Sequence, residues 1–200
     1  MTKPLDSIRK RIASLQEDLE VELAQQREKF RYRVENGKVR FEAGVHERQK
    51  ELREGWASFL ARTRPSVVMV APVIYSLIVP FVIVDIWVSL YQAICFPVYG
   101  IEKAKRGDYI RIDRHRLAYL NWLQKLNCVY CGYVNGLIAY IREVAGRTEA
   151  FWCPIKHAER VAGRHGHYQD FVDYGDAEGF AEGLAQSRET VRSGKDKPEA

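Results

Sequence analysis

The first twenty residues, MTKPLDSIRKRIASLQEDLE, lack the apolar core of a signal peptide, so a chain that is not exported is expected. Cysteine is scarce. Cys95, Cys128, Cys131 and Cys153 are the only four in 200 residues, which excludes a disulfide scaffold in a chain this long. Without export the thiols stay reduced, and reduced thiols favour metal or redox chemistry over structural bridges. Zinc-finger spacing and an aromatic RNA-binding signature are missing, so nucleic acid is not an expected partner. So are a phosphate-binding glycine loop, an activated nucleophile beside a base, and a supported carboxylate pair. Enzyme activity therefore has no visible basis, and Asp170, Asp173 and Asp176 read as a solvated face.

What the chain does hold is unevenly spread. Most of the charge lies toward the two ends, and a long apolar run separates them. The net charge of +5 points to an anionic partner. With nucleic acid set aside, that partner is expected to be the anionic headgroups of membrane lipids.

PSVVMVAPVIYSLIVPFVIV, residues 65–84, carries no charge, and after Asp85 the apolar character continues to Pro97. About 20 such residues cross a hydrocarbon core of roughly 30 Å. A straight helix over residues 66–96 would be about 46 Å long. The element at 65–97 is therefore read as a single tilted span or a re-entrant hairpin bent near Pro80, where a helix hydrogen bond is lost. Basic residues flank both sides, Arg48 to Arg64 before and Lys103 to Arg116 after, which favours the re-entrant form with both flanks in the cytosol. Asp85 reads first as an interfacial carboxylate, and second as a proton or cation site.

The amino-terminal part, 1–64, reads as an interaction arm of helix, hairpin and helix. Ile8, Ile12, Leu15, Leu19 and Leu23 make a narrow apolar stripe at helical spacing, like a coiled-coil seam. In KFRYRVENGKVRFEA the apolar residues alternate with charges around Asn36-Gly37, the dipeptide that suits a type I′ turn. A two-residue loop pairs Tyr32 with Phe41 and Val34 with Val39, and sets Arg33 against Arg40. A rival 11-residue repeat, Ile8, Leu19, Phe30, Phe41 and Leu52, would instead support one long helix. Asn36-Gly37 and Gly44 favour the hairpin. A second helix is expected over 45–61. The arm would bind a protein partner or a second copy of the chain.

Residues 98–176 read as a compact Cys/His helical domain, and 177–200 as a short helix near 178–188 with a disordered tail. Helices are expected from Asp113 and from Gly132, with AGRTEA as a turn. Cys128-x2-Cys131 falls between them and Cys153-x3-His157 follows. Two short-spaced pairs of thiolate and imidazole donors suit a Cys3His structural zinc site. Iron is admissible on softness, and His165 or His167 could stand in for His157. The competing reading is a membrane-bound thiol–disulfide oxidoreductase in which Cys128 and Cys131 are activated at the start of the following helix. Simple burial of the cysteines is a third.

APVIYSLIVPF, YQAICFPVYGI, DRHRLAYLN and YCGYVNGLIAYIREVAGRTEAFWCPIKHA resemble an uncharacterised family of small bacterial membrane proteins, over residues 30–174. The resemblance implies a bacterial membrane protein and no particular activity. The combined expectation is a mainly α fold: a membrane-anchored helical protein with a small amino-terminal β-hairpin and a Cys/His domain. It would sit in the inner membrane with its soluble parts mainly in the cytoplasm.

Overall fold

The computed structural model describes residues 3–35 and 38–194, and these are mainly helical with one two-stranded antiparallel sheet. The chain divides into two compact units: Met1–Leu60 with Asp113–Leu126, and Ala61–Ile112 with Asn127–Ala200.

In the first unit, α1 (Lys3–Lys29) outruns the apolar stripe at both ends. Ile12, Leu15, Leu19 and Leu23 all lie exposed along it. β1 (Tyr32–Glu35) and β2 (Lys38–Phe41) then pair in the expected register, Tyr32 with Phe41, Arg33 with Arg40, and Val34 with Val39. The hairpin, not the long helix, is realised; Asn36 and Gly37 themselves lie outside the described residues. The Arg33–Arg40 juxtaposition is relieved by Glu35, whose carboxylate sits 3.3 Å from the Arg40 guanidinium. The single helix expected over 45–61 is two: α2 (Val45–Glu51) and α3 (Trp56–Arg62). Gly55 lies in the interruption and costs about 1 kcal/mol in a helix interior relative to Ala.

In the second unit, α4 (Pro65–Ser76) and α5 (Ile78–Tyr99) follow one another directly. Pro80 explains the break. It has no N–H to offer the Ser76 carbonyl and its ring crowds that position, so α4 ends there. Leu77 keeps right-handed helical dihedrals, φ −62° and ψ −15°, so the chain kinks and does not turn back. The hairpin reading of this element is thus corrected to a kinked, continuing helix. α5 closes on Gly100 at φ 72°, with the Ile101 N–H bonded to the Phe96 carbonyl at 2.9 Å. This is a Schellman ending, and the left-handed position calls for glycine.

α6 (Arg106–Tyr109) is a single turn in the segment that runs back along α5. Ala104 bonds to Gln92 and Arg106 to Asp85, so sequence advances here as α5 is retraced. The helix expected from Asp113 is only a 3-10 turn at Arg114–Arg116. The true start is Asn121. Its side chain accepts the Gln124 N–H at 3.0 Å while the Gln124 side chain accepts the Asn121 N–H at 2.9 Å, a reciprocal capping box.

From there α7 (Trp122–Trp152) runs unbroken for 31 residues, through both cysteines and through the expected turn. Its contacts with α4 and α5 rise in step: Asn127 with Tyr75, Tyr133 with Asp85, Tyr140 with Gln92, Phe151 and Trp152 with Tyr99. The two helices therefore lie side by side and point the same way. α8 (Phe180–Ser193) extends past the expected end and covers their carboxyl ends. Ser187 and Arg188 donate to the Ala150 and Phe151 carbonyls, and Arg192 to that of Tyr99. Carbonyls left over at helix ends are thus satisfied by hydroxyl and cation.

Candidate functional site

The polar residues of the apolar run fall at helical spacing. Asp85, Ser89 and Gln92 are i, i+4 and i+7, and they share one face of α5. That face is turned inward. α4 buries no residue and α5 buries only Asp85, Gln92 and Phe96. The outward surface is apolar: Met69 is 79 % exposed, Trp87 70 % and Val98 78 %, with Val73, Ile83, Ile86 and Ile94 also open. The pattern is the inverse of a water-soluble core helix, where polar groups face out. Among the described residues one helical stretch, α4 and α5 taken together over Pro65–Tyr99, is long and apolar enough to cross a membrane.

Asp85 is buried and fully partnered within the fold. The Arg106 guanidinium holds it through two bonds, Nε to Oδ1 at 3.2 Å and Nη2 to Oδ2 at 2.6 Å. Tyr133 Oη donates to Oδ2 at 2.9 Å and Ser89 Oγ to Oδ1 at 3.4 Å. A bidentate arginine pair neutralises a carboxylate that would be costly alone in an apolar setting. Arg106 belongs to the basic segment after the apolar run, and its half-exposed guanidinium is paired with Asp85. Two turns beyond Asp85, the Gln92 amide accepts the Ala104 N–H and donates to the Ala104 carbonyl and to Tyr140 Oη. The returning segment thus finds in Gln92 the backbone partner it lacks in a sheet.

A second polar group lies nearer the α8 end. Glu143, Arg147 and His167 are all buried. Arg147 Nε donates to Glu143 Oε1 at 2.7 Å, and Nη1 to the Glu102 carbonyl at 2.6 Å. His167 Nε2 lies 3.1 Å from the same carboxylate oxygen. Burial alone would push the Glu143 carboxyl up. The hydrogen bonds from His167 and Arg147, with their charges, outweigh it and hold the group below its ordinary 4.5. Glu143 is therefore a carboxylate at neutral pH, which makes His167 Nε2 the donor. His165 repeats the theme beside it, with Nε2 2.9 Å from Glu149 Oε2. Its ring rests on Gly146, where a Cβ would stand 2.7 Å from the ring Cγ.

The proposed metal ligands do not meet. Cys128 and Cys131 stand one turn apart on α7, half-buried and exposed respectively. Cys153 lies just past the far end of the same helix. At 1.5 Å per residue it is about 33 Å from Cys131. No side chain spans that gap, and the four-ligand site within one chain is corrected accordingly. His157 is exposed and stacks on Tyr168, and its N–H donates to Tyr168 Oη. His165 and His167 lie instead against Glu149 and Glu143, each through Nε2. Among the described residues no group of three His, Cys, Asp or Glu is placed to hold a metal ion. The redox reading loses its activating feature too. Cys128 is the seventh residue of α7, beyond the first turn where a helix start favours a thiolate.

Replacing the exposed Cys153 by Ser should leave the metal content of the purified protein unchanged. Its melting temperature should stay within about 2 °C, as for an ordinary surface change. Elemental analysis with a thermal scan checks this; loss of stoichiometric metal would restore the four-ligand reading.

Spacing arithmetic missed the Glu143–Arg147–His167 group. The i, i+4 Glu–Arg pair was legible in IREVAGR, yet nothing local marks it as buried. Comparison with family models, with curated proteins and with solved structures finds no match to this chain.

Proposed function

We propose that this chain is a membrane-anchored interaction module without catalytic chemistry of its own. Pro65–Tyr99 anchors it, the polar interior around Asp85 and Glu143 locks the anchor to α7 and α8, and the amino-terminal arm engages a protein. The observation that carries the reading is the inversion of α5: Asp85 and Gln92 inward, Trp87, Ile94 and Val98 outward. An apolar surface of that extent in water would drive aggregation, whereas hydrocarbon matches it. Neutralisation of Asp85 by Arg106 supports the same setting. The basic flanks and the family resemblance favour the bacterial inner membrane, with the soluble parts on the cytoplasmic side.

Membrane fractionation tests the anchor. The full chain is expected in the membrane pellet after alkaline carbonate washing and in solution only with detergent. A variant with Val73, Ile83, Ile86 and Ile94 changed to Ser and Thr should move toward the soluble or aggregated fraction. Quantitative release of the native chain by carbonate would defeat the reading.

A further inference from the structure

α1 presents an apolar stripe left exposed among the described residues, and its charges are segregated along its length. Ile12, Leu15, Leu19 and Leu23 line one face, all of them between 39 % and 60 % exposed. Lys10 and Arg11 stand at one end of the stripe, and Glu17, Asp18, Glu20 and Glu22 at the other, all exposed. We propose that the occupant of this stripe is α1 of a second copy of the same chain, laid antiparallel. The inference deepens the arm's role in the reading above by naming its partner and geometry.

The stripe is nearly symmetric about Leu15. Reversing one helix sets Ile12 against Leu19 of the other copy, brings the two Leu15 side chains together, and leaves Leu23 over the amino end. In that register Arg11 lies level with the partner's Asp18 and Glu20, and the complementary contact recurs on the other side of the two-fold axis. A parallel pair would put Lys10 and Arg11 beside themselves and the four acids beside themselves, which costs stability. Charge thus selects the antiparallel form. The same four acids disfavour a lipid occupant, since an anionic headgroup layer repels them. The stripe is also narrow, two positions in seven, as a helix–helix seam requires and a lipid-facing helix does not.

Disulfide trapping of the full-length protein in detergent or nanodiscs, with Cys95, Cys128, Cys131 and Cys153 first changed to Ser, tests the geometry. Leu15→Cys should crosslink with itself. Ile12→Cys alone and Leu19→Cys alone should crosslink about tenfold less, yet a mixture of the two should form the heterotypic dimer. Self-crosslinking of Ile12→Cys at the level of Leu15→Cys would show a parallel pair and overturn the proposal. So would a monomeric mass for the unsubstituted chain with no crosslink at any position. Changing Glu17, Asp18, Glu20 and Glu22 to Lys should abolish self-association while preserving helicity by circular dichroism. Mixing that variant with Lys10→Glu/Arg11→Glu should recover a dimer. Retention of the dimer by the four-lysine variant alone would also overturn it. Carbonate extraction is independent of all these readouts, so failure of the pairing and failure of the anchor are told apart.

Discussion

Arg147→Met is expected to lower the melting temperature of the full chain by about 10 °C or more, the counterpart of about 3–5 kcal/mol for a buried carboxylate stripped of its cation. Arg147 does two jobs at once. Its Nε neutralises Glu143 and its Nη1 satisfies the Glu102 carbonyl, which ties α7 to the segment leaving α5. Arg147→Lys should recover only part of the loss, because one ammonium cannot reproduce the fork. Glu143→Gln separates charge from shape. It keeps an acceptor for both donors and removes the buried carboxylate.

The same group gives the protein an acid limit. The folded pKa of Glu143 lies below its ordinary 4.5. Its stabilising contribution is therefore complete above that ordinary value and is lost as pH falls through the folded one. Thermal scans from pH 7 downward should show stability falling below about pH 4.5, with a shallower fall in Glu143→Gln. An identical profile in both proteins would remove Glu143 from the account.

Gly136→Ala is expected to destabilise by about 1–3 kcal/mol, against the trend for an exposed helix, where the same change stabilises by about 1 kcal/mol. A Cβ at 136 would stand 2.7 Å from the Ile110 Cα and 2.8 Å from the Tyr109 carbonyl oxygen. Both are backbone-anchored and neither swings away. Alanine would push the returning segment off α7 and loosen the Gln92–Ala104 bonds one turn on. Gly107→Ala is the control. Nothing lies within 4 Å of its Cβ direction, so the change should fall within about 0.5 kcal/mol of the native stability. Chemical or thermal denaturation in one detergent measures both. Equal effects at the two positions would mean that backbone propensity, not the crossing at Ile110, governs Gly136.

Gly136 and Gly146 show where a pattern along the chain and the fold part company. AGRTEA carries the marks of a turn, and Gly132 and Gly136 weaken the helical signal before it. In the fold Gly136 makes room for a crossing backbone and Gly146 for the His165 ring, so α7 runs straight on. The cysteine spacing failed for the same reason. Cys-x2-Cys and Cys-x3-His look like two halves of one cage only if the intervening stretch folds back, and an unbroken helix holds them apart. The Asn121–Gln124 capping box was the legible sign that one long helix begins there.

Local physics was enough to read the hairpin register, the apolar run, the narrow stripe of α1 and the predominance of helix. Each rests on alternation, periodicity or turn chemistry within a dozen residues, and such patterns are written in the order of the chain. Tertiary structure alone decided that Asp85 meets Arg106 and Tyr133, that Glu143 is buried with Arg147 and His167, and that α5 turns its polar side in. Those outcomes depend on which helix lies beside which. Burial and ion pairing between residues 20 to 50 positions apart come from packing, and no local pattern encodes them.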